Sequence, residues 1–112
     1  MKIIKELLTL DELNQMALKF GNMVKAVVDV ERELLAVDGE LHSDLEALLL
    51  EAGSKQRNLW GINLYPELKS EEFVEFDSMI NMRPSQGNMS RGVENKIISE
   101  KIIKIVSKRI KR

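Results

Sequence analysis

The amino-acid sequence predicts an α+β domain, a small and mainly antiparallel β-sheet with about three helices packed on one of its faces. Three observations predict it. Apolar residues recur at helical spacing in three separate stretches, residues alternate with a period of two in three others, and turn residues divide the two kinds.

The first helix is the clearest. Thr9-Leu10-Asp11-Glu12 forms a capping box, with the Thr9 hydroxyl facing the Glu12 amide and the Glu12 carboxylate reaching back. Leu8 and Leu13 add a hydrophobic staple, and Leu10, Leu13, Met16, Ala17 and Phe20 carry the helix over residues 10–20, to a stop at Gly21. Lys2-Ile3-Ile4 ahead of it reads as a short edge strand. From Val24 to Val30 the period changes to two in a β-branched run, and Leu34–Val37 follows, so a hairpin turns near Arg32-Glu33. Ser43-Asp44-Leu45-Glu46 has the form of a second capping box, opening a short helix that closes at Gly53. Trp60, Ile62 and Leu64 alternate with Gly61, Asn63 and Tyr65 in a strand ended by Pro66. Val74, Phe76, Ser78, Ile80 and Met82 then define one face of another strand, whose register places Phe76 and Ile80 in the core. Arg83–Gly92 is a polar Gly/Pro loop. Ile97, Ile98, Ile102, Ile105, Val106 and Ile110 mark a final helix from about residue 94 to the end, with a flexible tail expected over residues 108–112.

The chain of 112 residues has room for one domain, spanning residues 1–112. It contains no cysteine, which excludes disulfides, thiolate metal sites and cysteine nucleophiles. Lys5, Glu6, Asp11 and Glu12 interrupt the N-terminal apolar residues, and no run approaches the ~18 apolar residues of a membrane span. No targeting segment or membrane partner is expected, and the cytoplasm is the default location. Net charge is −1, unevenly placed: residues 94–112 carry seven Lys and Arg against Glu94 and Glu100, a net +5, and the rest of the chain a net −6. A basic terminal helix lying against its own acidic body accounts for this, and so does a surface for an acidic partner.

Three stretches could carry chemistry. Glu40, His42 and Asp44 would share a side of an extended chain, and such a cluster suits zinc, manganese or iron, or acid–base work by the sole histidine. Asp44 also suits the first turn of a helix on dipole grounds alone. The loop brings Arg83, Ser85, Gln86, Gly87, Asn88 and Arg91 before a helix, a composition fit for a phosphate or carboxylate, although it lacks the P-loop pattern. Trp60, Asn63 and Tyr65 are candidate pocket-wall residues, with Trp60 also suited to the core. No sequence pattern specifies a cofactor. Aromatic residues make up only 4% of the chain, which leaves no stacking platform for single strands, and nucleic acid is not an expected partner.

Gly39-Glu40-Leu41-His42, Gly53-Ser54-Lys55-Gln56, Leu59-Trp60-Gly61 and Ile80-Asn81-Met82-Arg83-Pro84-Ser85-Gln86-Gly87-Asn88 occur in this order. With them the chain, over roughly residues 24–106, resembles a family of short prokaryotic proteins filed as a domain of unknown function. The resemblance implies an autonomous single-domain protein and transfers no catalytic residues. Three functions follow in order of preference. The first is a non-enzymatic binding or interaction module, with a homodimer expected on base rate. The second is a small metal- or phosphate-dependent enzyme using Glu40 and His42 with the Arg83–Arg91 loop. The third is acidic-partner or nucleic-acid binding through the basic C-terminal helix.

Overall fold

The computed structural model describes residues 1–111. In chain order the regular elements are β1 (Lys2–Ile4), β2 (Leu8–Thr9), α1 (Leu10–Lys19), β3 (Val24–Asp29), β4 (Leu34–Val37), α2 (His42–Glu51), β5 (Leu59–Leu64), β6 (Val74–Glu75), α3 (Lys96–Arg109) and β7 (Ile110–Lys111). Single 3-10 turns occur at Gln56–Asn58, Ser70–Phe73, Met79–Asn81 and Pro84–Gln86.

The predicted capping box opens α1: the Thr9 hydroxyl accepts the Glu12 N–H at 3.1 Å, and Glu12 Oε1 accepts the Thr9 N–H at 3.1 Å. The β3–β4 hairpin is tied by Asp29, whose Oδ1 accepts the amides of Glu31 and Arg32. With those two amides held, Glu33 takes the left-handed conformation that closes the turn, at φ 56°. The strands form one antiparallel sheet in the order β1-β4-β3-β5-β6. A separate parallel pair joins β2 to β7, with Leu8 opposite Ile110.

Helices cover both faces of the sheet, which corrects the expectation of one covered face. Val24, Ala26, Val28, Trp60, Ile62 and Leu64 point to the larger cluster, under α1 (Leu13, Met16, Ala17) and α3 (Ile102, Ile105, Val106). Val27, Ala36 and Leu59 point the other way and meet Leu45 and Leu49 of α2. The reason lies in β4, whose four residues Leu-Leu-Ala-Val are all buried, the pattern of a strand covered on both sides. Burying Leu45 and Leu49 contributes roughly 2 kcal/mol each.

Three further expectations are corrected. The capping box at Ser43 does not form: α2 starts at His42, with Leu41 as an N-cap that makes no side-chain hydrogen bond. The strand expected over residues 74–82 ends at Glu75, after which Phe76 packs on the larger cluster and Ile80 on the α2 cluster. The last helix ends at Arg109, where Ile110 turns into β7. Lys108 Nζ lies 2.7 Å from Glu33 Oε1 and Arg109 Nε 2.8 Å from the Glu33 carbonyl, and β7 follows; Arg112, the last residue of the 108–112 stretch, lies outside the described residues. No described helix is long and apolar enough to cross a membrane.

Candidate functional site

Gly61, in the middle of β5, leaves the α2 face of the sheet open. A Cβ there would lie 2.6 Å from the Ser78 Cβ and 3.2 Å from His42 Cδ2, so only glycine lets both side chains approach the strand. Past the end of β6 the strand edge is completed by a side chain. Asn81, fully buried, accepts the Gly61 N–H at 2.8 Å and donates to the Gly61 carbonyl at 2.9 Å, as a neighbouring peptide would. The same amide nitrogen donates to the Arg91 carbonyl, fixing the return of the loop.

His42 lies over this opening. Its Nε2 is 2.8 Å from the Ile62 carbonyl, so Nε2 carries the proton and Nδ1 holds the lone pair. Burial holds the imidazole below its ordinary pKa, against the opposing effect of the Ile62 carbonyl. Lys25 adds to the depression, whereas Asp77 and Asn63 favour the proton.

Beside it is a cleft of about 500 Å³, walled by Lys25 of β3, His42 of α2, Asn63 of β5, Tyr65, Glu75 of β6, Asp77 and Arg91. Glu75 Oε1 accepts the Asn63 amide and the Tyr65 hydroxyl, each at 2.9 Å, and that carboxylate raises the Tyr65 pKa. Arg91 Nε donates to Asp77 Oδ1 at 2.5 Å, and Lys25 Nζ to the Glu40 carbonyl at 2.9 Å. Asn63 is only 5% exposed, and its Oδ1 has no hydrogen-bond partner among the described residues.

A family model described as a protein of unknown function (DUF5674) matches residues 2–109. The chain belongs to this family. No curated protein and no solved structure matches it.

In this DUF5674 chain, four of the residues singled out from the sequence line the cleft: His42, Asn63, Tyr65 and Arg91. The others lie elsewhere. Glu40 offers its carbonyl to Lys25 while its side chain is exposed, and Asp44 sits two residues past His42 on a helix, about 200° around the axis. Among the described residues no group of three or more His, Asp or Glu side chains is placed to hold a metal ion. Trp60 points to the opposite face, into the larger core.

The stretch from Ile80 to Asn88 is built inward. Arg83, 7% exposed, donates to the carbonyls of Ile80, Gln56 and Leu59, lies 4.6 Å over the Trp60 ring, and stands 3.8 Å from Glu46. Asn88 donates to the carbonyls of Asn81, Ser90 and Gly92, and its Oδ1 accepts the Glu94 N–H. The Glu94 carboxylate accepts the amides of Met89 and Ser90, which lowers its pKa. Ser85, Gln86 and Gly87 form the exposed tip, away from the cleft.

Lys25, Glu75 and Asp77 are cleft residues the sequence reading did not single out as site residues. Lys25 and Glu75 are brought to the cleft by strand register, Lys25 opposite Asn63 and Asn63 opposite Glu75, whereas Asp77 lies past the end of β6 and is held there by Arg91.

Proposed function

We propose that this DUF5674 chain is a binding module, and that the cleft beside β5 is where it takes a small polar molecule. The observation that carries the reading is Asn63. A nine-tenths buried amide at the cleft wall, with its oxygen unpaired, costs about 1–3 kcal/mol unless a donor supplies the missing bond. Around it the cleft gathers polar side chains from α2 and three strands, the arrangement that fixes a small ligand's orientation.

A second surface sets the comparison for the test. Lys101, Lys104 and Lys108 of α3 line a groove with Glu33 and Ile105, far along the chain from the cleft residues. The experiment is a nuclear magnetic resonance screen of the ¹⁵N-labelled chain against amino acids, nucleosides, sugars, phosphate and divalent metals. Saturable shifts confined to Gly61, Asn63, Tyr65 and Asp77 are expected with at least one class. Shifts that map to the lysines of α3 instead, with the cleft silent throughout, would transfer the function to that helix.

A further inference from the structure

The cleft floor contains an ordered row of charge, and this row names a ligand class, on the reading that the cleft is a binding site. Lys25, Asn63 and Glu75 are direct cross-strand partners on β3, β5 and β6. They share the face that carries His42, because Lys25 alternates with the core-facing Val24 and Ala26, and Asn63 with Ile62 and Leu64. Neighbouring strands lie ~4.8 Å apart, so the row runs cation, amide, carboxylate over about 10 Å of sheet.

The hydrogen-bonding capacity left along that row is directional. At the β6 end, Glu75 Oε1 is engaged by Asn63 and Tyr65, while among the described residues none bonds to Oε2. Asp77 is engaged by Arg91 through Oδ1 alone. His42 and Asn63 stand beside these carboxylates on the cleft wall. This end therefore calls for a donor, and two carboxylates against the single Arg91 favour a positive one. At the β3 end, the Lys25 ammonium gives one N–H to the Glu40 carbonyl and keeps two.

We propose that the cleft binds a small zwitterion, an amino acid, with its ammonium group at the Glu75 and Asp77 carboxylates and its carboxylate at Lys25. A molecule whose opposite charges stand a few ångströms apart matches the row in sign, and a hydrogen bond of ~2.9 Å at each end carries it across most of the row's length. Either charge alone would leave one end of the row facing solvent.

The test is calorimetric and NMR titration of the full chain with three probe sets: amino acids from glycine to glutamate, ethylamine, and propionate. An amino acid is expected to shift the Asn63 side-chain amide saturably, with ethylamine and propionate at least ~10-fold weaker, since each lacks one charge-assisted bond. Lys25→Met and Glu75→Gln, both at accessible positions, are each expected to weaken the amino acid by about 10-fold while leaving the rest of the spectrum unchanged. If amino acids leave the cleft unmoved and nucleosides, sugars or phosphate shift it, the zwitterion is overturned and the binding site stands. If nothing in either panel shifts a cleft resonance, both readings fall together. Amino-acid affinity untouched by the two variants would also overturn the proposal, since the row would then play no part.

Discussion

His42 shows how one side chain can serve the fold and the site at once. Its Nε2–H ties the start of α2 to β5 through the Ile62 carbonyl, while its ring forms part of the cleft wall. Burial is the largest effect on its protonation and disfavours the charged form. A histidine depressed in the folded state binds its proton more readily in the unfolded chain. Its stabilising contribution is therefore complete above the ordinary value of 6.5 and is lost as pH falls below it, until the folded group itself titrates. Glu12, Glu33 and Glu94 are lowered from 4.5, so their contributions hold through that window and fail only in stronger acid. Denaturant unfolding at pH 7.5 and pH 5.5 is expected to show a drop in stability for the natural chain and a smaller one for His42→Gln. Equal drops would mean that the ring is protonated as easily in the fold as in the open chain.

At the scale of elements, the two short helices start differently. Thr9 caps α1 from both sides, whereas α2 begins behind Leu41, which is 53% exposed and offers its amides nothing. Leu41 also lines the cleft. Leu41→Ser is expected to stabilise the chain by about 1 kcal/mol, the usual worth of an N-cap hydroxyl, read as a higher urea midpoint at unchanged slope. A lower midpoint would show that the leucine's packing outweighs the missing cap. The same contrast explains what the sequence made legible. The Thr9 box was readable because its partners lie within three residues. Ser43 carried an equally good local pattern, but the bond from His42 to Ile62, twenty residues away, starts the helix ahead of it. The alternation over residues 74–82 misled for a related reason: the buried Asn81 side chain takes the place of a strand at Gly61, so the chain can leave the sheet after Glu75. Arg83 and Asn88 have the polarity of a ligand loop and use it on backbone carbonyls, a choice that no local propensity records. Of the cleft wall, His42, Asn63, Tyr65 and Arg91 were visible in the sequence; the charges of Lys25 and Glu75 joined it through strand register, and Asp77 through its bond to Arg91.

Across the whole molecule the two layers are unequal. One face of the sheet carries α1 and α3, tied together through β2 and β7 and braced by Lys108 and Arg109 against Glu33. The other carries α2 alone, which fully buries Leu45 and Leu49 and has no side-chain cap. Local opening follows the least buried, least capped element, and the cleft lies where that element begins. Native-state hydrogen exchange is therefore expected to release the α2 amides through an opening of lower free energy than the one that releases β3 and β5. An occupied cleft should slow exchange at the first turn of α2 more than in α3, since a ligand held between His42 and β5 favours the closed layer. Exchange of α2 as slow as that of β3 would mean the layer opens only when the whole molecule does. The cleft would then be a rigid, preformed site whose ligand gains nothing from ordering the helix.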